Sequence, residues 1–247
     1  MSSIVVYIVG TNQERALNVV KPLFNGDLFI VNIVEIPTNI QPELNADSAR
    51  FMWALNNARN KFPDLPVLIV SDLISSSSSS NNIEDIIGNT YQSGHFDLFY
   101  YAKWLDSCNK YTNRRPLDDN NSIMEVRTYS PHGLDAILFT ENTRDIILGL
   151  KEIKRNELFN ITLGALEDAL HKAIVNGSLK AKTVTPSLFI RSTSTIKDNI
   201  EYLTTAECLV PNDQPQQLSN SNFYLWFGIV LFFIVLLSWA ALKIADQ

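Results

Sequence analysis

The residue with the most chemical promise is Asp72, which ends the apolar run Val67-Leu68-Ile69-Val70-Ser71 and precedes a polar stretch. A carboxylate at a strand end beside a polar loop is placed to hold a metal ion or a ribose hydroxyl, and equally to cap the strand. His132, in Ser130-Pro131-His132-Gly133, has a side chain that titrates near neutrality as a general base must, or that bonds its own turn. Asp168 stands with Glu167 at the start of the pattern LEDALHKAI, where an acid complements a helix dipole or faces a site. His95 precedes an apolar run and has no identifiable partner. Arg114 and Arg115, in the polar segment Asn109 to Asn121, are solvated charges or contacts for a phosphate. The sequence contains no phosphate-cradling glycine loop, no nucleophile elbow and no His/Cys metal spacing, so neither a metal nor a cofactor is expected from these residues alone.

Runs of β-branched and aromatic residues that could position these groups recur at Ile4 to Val9, Leu28 to Ile36, Val67 to Ile74, Phe96 to Tyr101 and Ile137 to Thr140, with helical patterns between them. Strands alternating with helices predict an α/β domain with a mostly parallel sheet. Before the third run, Phe51, Leu55, Ala58 and Phe62 repeat at helical spacing behind Asp47 as the expected cap, and Pro63-Asp64-Leu65-Pro66 stops the helix. The continuous apolarity of Val67 to Val70 fits a central strand covered on both faces. Ser75 to Ser80 with Asn81 and Asn82 is low in complexity and predicts a surface loop at the carboxyl end of that strand, the end where open α/β sheets place their ligand crevice. Asn109 to Asn121 predicts a second polar loop.

The twenty residues Phe223 to Leu242 carry no charge. At about 1.5 Å per residue they form enough helix to cross the hydrocarbon core of a bilayer, with Tyr224, Trp226 and Trp239 as interfacial aromatics and Lys243 beyond them. The predicted organisation is a domain over 1–208, a Pro/Gln/Asn/Ser-rich linker over 209–222, a single membrane span over 223–242 and a short tail over 243–247. The N-terminus resembles a first strand and no signal peptide, which predicts tail-anchored insertion with the large domain in the cytosol, reduced thiols at Cys108 and Cys208, and unused sequons at Asn120, Asn160 and Asn176. The formal charge of −6 argues against a nucleic-acid partner. The expected partners are the bilayer and a protein near it.

Several segments, in order, resemble the family 25 glycosyltransferases, the group of the lipooligosaccharide and collagen galactosyltransferases, with relatives encoded by large DNA viruses. The opening strand followed by Asn12 and Arg15 is similar to the family's own opening. Trp53 to Leu73 resembles its helix leading into the strand that ends in Glu-Asp-Asp, and Phe96 to Cys108 resembles the strand and Trp/Cys segment that follow. Ser130 to Thr140 is similar to its small-residue turn before a strand. Leu166 to Thr195 resembles its closing acidic helix, strand and Pro-x-Leu-Phe. The resemblance implies a GT-A fold, a Rossmann-like sheet that binds a nucleotide sugar with manganese or magnesium on the acidic motif, and it implies a role for Asp168 at the acidic helix position. The metal would neutralise charge growing on the diphosphate leaving group.

In this sequence the family's Glu-Asp-Asp falls on Ser71, Asp72 and Leu73. One carboxylate beside a serine and a leucine is a poor site for a hard cation that prefers several oxygen ligands. The expectation is therefore a membrane-anchored scaffold on a non-catalytic transferase-like domain, for example a minor capsid or membrane-associated component of a large DNA virus particle that meets capsid proteins. The alternative is a divergent, membrane-anchored glycosyltransferase in which Asp72 binds the donor.

Overall fold

The computed structural model describes residues 3–35, 44–76, 78–103, 105–118, 120, 122–161 and 165–191. The predicted span, its flanking Tyr224, Trp226, Trp239 and Lys243, and the linker over 209–222 lie outside the described residues. Among the described residues no helix is long and apolar enough to cross a membrane.

The chain opens with β1 (Ile4–Gly10), whose alternate side chains enter two different cores. Ile4, Val6 and Ile8 pack on one face of the sheet and Val5, Tyr7 and Val9 on the other. A strand covered on both faces has no polar side to show. A single turn, α1 (Gln13–Arg15), runs on through a wide turn and a 3₁₀ turn to Phe24, and then β2 (Phe29–Glu35) pairs in parallel with β1.

Helix α2 (Ala46–Lys61) lays Phe51, Ala54, Leu55 and Ala58 on the second face. Its cap is Asn45, whose side chain accepts the Ser48 N–H at 2.8 Å, and not Asp47. Asp47 sits inside the first turn and pairs with Arg50 at 2.9 Å. The helix stops at Phe62, and the turn after it leads into β3 (Val67–Ser71), whose first four residues are fully buried. Each such aliphatic side chain contributes about 1.5–3 kcal/mol by burial.

The serine run is a loop through its middle, where Ser76, Ser78 and Ser79 lie in neither helix nor strand, and regular structure at its two ends. Ser75 closes the short β4 (Ile74–Ser75), Ser79 caps α3 (Ser80–Ser93) by accepting the Asn82 N–H, and Asn81 and Asn82 are helical. Serine and asparagine compete well for backbone N–H groups, and this favours them at helix starts. Ile83, Ile86 and Ile87 of α3 cover the first face. Then β5 (Leu98–Ala102) enters the sheet.

The expected loop over Asn109 to Asn121 contains an edge strand, β6 (Thr112–Pro116), antiparallel to β7 (Met124–Thr128). All five β6 side chains are exposed. A register shift and a proline are the usual protections of a free sheet edge. β8 (Ala136–Phe139) is antiparallel to both β3 and β5 and lies between them.

Helix α4 (Glu141–Ile147), the small hairpin β9 (Glu152–Lys154) and β10 (Glu157–Leu158), and helix α5 (Leu166–Val175) follow. β11 (Ala181–Thr185) is parallel to β5, and β12 (Ile190–Arg191) returns across the sheet end to pair with β4. The main sheet has the order β2-β1-β3-β8-β5-β11-β7-β6. It is a mixed, eight-stranded, Rossmann-like sheet flanked by helices on both faces.

Cys108 is disulfide-bonded, which corrects the expectation of reduced thiols. The chain's other cysteine is Cys208, outside the described residues.

Candidate functional site

A crevice of about 220 Å³ opens at the carboxyl ends of β1 and β3, where ligands collect in open α/β sheets. Its floor comes from Val9 and Gly10, from Ser71 to Leu73, and from Leu134 and Asp135 ahead of β8. The first turn of α2 forms one rim, Glu167 of α5 another, and Arg191 of β12 crosses from the far side. Ser48 ties two of these walls together, since its hydroxyl accepts the Leu166 N–H at 2.8 Å and so caps α5 from α2.

Asp72 lines this crevice and is buried. Its carboxylate accepts the Asn12 N–H at 2.6 Å, and its own N–H donates to the Val9 carbonyl. Arg15 completes the junction: its guanidinium donates to the Ile74 carbonyl at 3.0 Å and to that of Leu73 at 3.4 Å. The Asn12 and Arg15 that drew notice in the sequence therefore fasten the β1–α1 turn to the end of β3. Ser71 also serves the turn, its hydroxyl accepting the Leu73 N–H at 3.1 Å.

His132 belongs to the turn before β8, in which Gly133 takes a φ of 121° that glycine tolerates best. Its N–H donates to the Leu105 carbonyl at 2.8 Å. The His132 ring stacks on that of His171, with centroids 3.9 Å apart and planes 26° apart, and His132 Nδ1 lies 3.7 Å from a Glu167 oxygen. Burial pulls the His171 pKa below its ordinary value, the nearby His132 adds to the drop, and the Pro131 carbonyl, Asp168 and Glu167 oppose it. Beneath α5, burial pushes the Tyr100 phenol up, with Glu167 and Asp106 reinforcing, so it stays protonated.

Asp168 is exposed in the first turn of α5 and is not a crevice residue; its neighbour Glu167 is. His95 is exposed in a left-handed turn, φ 61°, just past α3. Arg115 is held by Glu125 at 2.6 Å, and Lys182 reaches the same carboxylate at 2.7 Å, while Arg114 is exposed on β6. Among the described residues no group of three or more His, Cys, Asp or Glu side chains converges to hold a metal ion.

The sequence did not single out Asp135, Arg50 or Arg191. Asp135 stands directly before an apolar strand as Asp72 stands directly after one, which was a usable signal. Arg191 carried none, because only the return of β12 to β4 brings it to the crevice.

No family model matches the chain, and no curated protein matches it. Among solved structures it is similar to A197 from STIV, with 11% identity over 77% of this chain and 84% of that one and a TM-score of 0.39. It is also similar to UDP-glucose pyrophosphorylase complexed with UDP-glucose, with 9% identity over 73% and 72% of the two chains and a TM-score of 0.31. The apo form of a UDP-glucose pyrophosphorylase gives 13% identity over 70% and 62%, with a TM-score of 0.30. The α/β assignment rests on the strand order of the chain itself.

Proposed function

We propose that the chain is a membrane-anchored scaffold built on a GT-A-like domain that no longer transfers sugar. The carrying observation is the state of Asp72: its carboxylate is committed to the Asn12 N–H and packed against Gly10, with Ser71 and Leu73 on either side where the family it resembles has acids. A carboxylate spent on holding two loops together is poorly placed to organise a diphosphate and its metal. The apolar segment Phe223 to Leu242 would confine the domain to a thin layer above a bilayer, raising its effective concentration toward a protein in the same layer. At roughly 5–6 Å times the square root of residue number, the linker over 209–222 reaches about 20 Å. A component that holds a lipid membrane to a capsid protein layer in a large DNA virus has this requirement, and the sequence resemblance to proteins of such viruses supports that setting.

A divergent transferase is the second reading, favoured by the position of the crevice at the carboxyl ends of β1 and β3. Calorimetry on the full chain in lipid nanodiscs, with UDP- and GDP-sugars and manganese or magnesium, separates the two. The scaffold predicts no binding heat. Micromolar binding that disappears in Asp72→Ala would establish the transferase.

A further inference from the structure

The crevice contains a second buried carboxylate, and this one the fold has left unspent. The Asp135 side chain is 8% exposed, and within the described residues its carboxylate accepts no hydrogen bond. Its ion pair with Arg191 runs at 3.8 Å to an Nε that itself has no hydrogen-bond partner, too long for a hydrogen bond. An ionised carboxylate so placed costs free energy until a cation or donor reaches it. Burial raises the Asp135 pKa, Arg191 works against that rise, and Glu167 and Asp47 add to it. Around Asp135, then, Glu167 and Asp47 oppose Arg191, while Arg50, also in the crevice lining, is paired with Asp47 at 2.9 Å.

The walls have a different chemistry. The apolar part of the lining comes from Val9 and Phe51, both buried, and the half-buried Leu134, beside the polar and charged residues that make up the rest of it. Its volume of about 220 Å³ is below the roughly 300–1,000 Å³ of pockets that take whole small ligands. With no converging set of metal ligands among the described residues, the fitting occupant is an organic cation on an apolar stem. Lysine and arginine have this form, their methylenes lying on apolar surface while the charge seeks a polar partner.

We propose that the crevice receives one lysine or arginine side chain from a protein partner, its stem against Val9, Phe51 and Leu134 and its cation on Asp135 and Glu167. The proposal rests on the scaffold reading and supplies that reading with a contact point. A single side chain in a desolvated pocket is the usual form of an interface hot spot. Arg191 then serves as the stand-in that keeps the pocket from collapsing around an unmatched charge, and it yields when the partner's cation arrives.

The test uses the full chain in lipid nanodiscs, titrated with Nα-acetyl-lysine-N-methylamide and with the norleucine counterpart, which has the stem without the charge. The lysine probe should bind at least about tenfold more tightly, a modest value for a close charge pair. That preference should vanish in Asp135→Asn and fall about threefold in Glu167→Gln. Equal affinity for the two probes overturns the proposal, as does an unchanged preference in Asp135→Asn. Should that variant fail to fold, Glu167→Gln decides, and an unchanged preference there overturns it. A nucleotide sugar that binds in an Asp72-dependent way would sink the scaffold reading separately, whatever the lysine probe does.

Discussion

A β-carbon on Gly10 would come within 1.9 Å of the Asp72 carboxyl carbon, so the ends of β1 and β3 meet through a glycine and a carboxylate. Gly10→Ala should therefore destabilise the domain by about 1–3 kcal/mol, the usual cost of forcing volume into a packed site. In an Asp72→Ala background the same change should cost roughly 1 kcal/mol less, because the clashing group is gone. Urea midpoints of the four proteins give the coupling. Additive effects would mean that something other than Asp72 excludes a side chain at residue 10.

The stacked imidazoles predict a pH dependence of stability. Because the folded His171 pKa lies below the ordinary histidine value of about 6.5, the unfolded chain binds this proton first as pH falls. Stability is therefore fully present above about pH 6.5 and declines as pH drops toward the folded pKa. His132 opposes the proton, while Asp168, Glu167 and the Pro131 carbonyl favour it, so the decline should be gradual. Urea melts between about pH 5 and 8 should show a shallower slope for His171→Gln than for the parent. Identical slopes would remove His171 as the source.

Arg144 is 1% exposed and its guanidinium donates to three carbonyls, Phe62 at 3.1 Å, Leu65 at 2.9 Å and Pro63. It closes the end of α2 and holds the turn that launches β3. Arg144→Ala should cost about 3–5 kcal/mol, since three part-buried carbonyls lose their donor together and Asp145 loses one of its cations, keeping Arg59 and Lys151. Arg144→Lys should recover only part of this, because one ammonium cannot reproduce a planar fork. A drop in melting temperature of less than about 2 °C for the alanine variant would contradict this assignment.

Burial first, and then Glu167 and Asp47, push the Asp135 pKa up against the pull of Arg191, which makes its charge a burden on the empty domain at neutral pH. Asp135→Asn should raise the melting temperature by about 1–3 °C, the response of a domain this long to a gain below a kilocalorie per mole. The gain should shrink as pH falls through the raised native pKa and be gone by about pH 4, the ordinary carboxylate value, below which the carboxyl is protonated in both folded and unfolded chains. A lower melting temperature at pH 7 would show that the Arg191 pair outweighs the cost of burial.

The long buried elements were legible in the sequence because burial on two faces leaves a continuous apolar run, as in Ile4 to Val9 and Val67 to Val70, and helical spacing marks α2 from Phe51 to Ala58. The features that were not legible depend on partners far along the chain. β6 is polar at every position and becomes a strand only by pairing with β7. Within the serine run the loop was legible but the cap of α3 was not, because composition does not show which serine will accept a backbone N–H. At the site, Asp72 was visible as a strand-end acid, yet its commitment to Asn12 required knowing where β1 turns. Asp135 and Arg191 meet only after β12 has crossed the sheet.

The position of β8 between β3 and β5 has a consequence for synthesis on the ribosome. β1 can gather β2 and β3 as soon as residue 71 has emerged, but β5, complete at residue 102, has both of its sheet neighbours still to come: β8 ends at residue 139 and β11 at residue 185. Until then the buried strand Leu98–Ala102 waits with its backbone unpaired and its apolar side chains uncovered, the condition in which nascent chains aggregate. Once Ala136–Phe139 emerges it pairs with β3 and β5 together, joining the early part of the sheet to the late one in a single step.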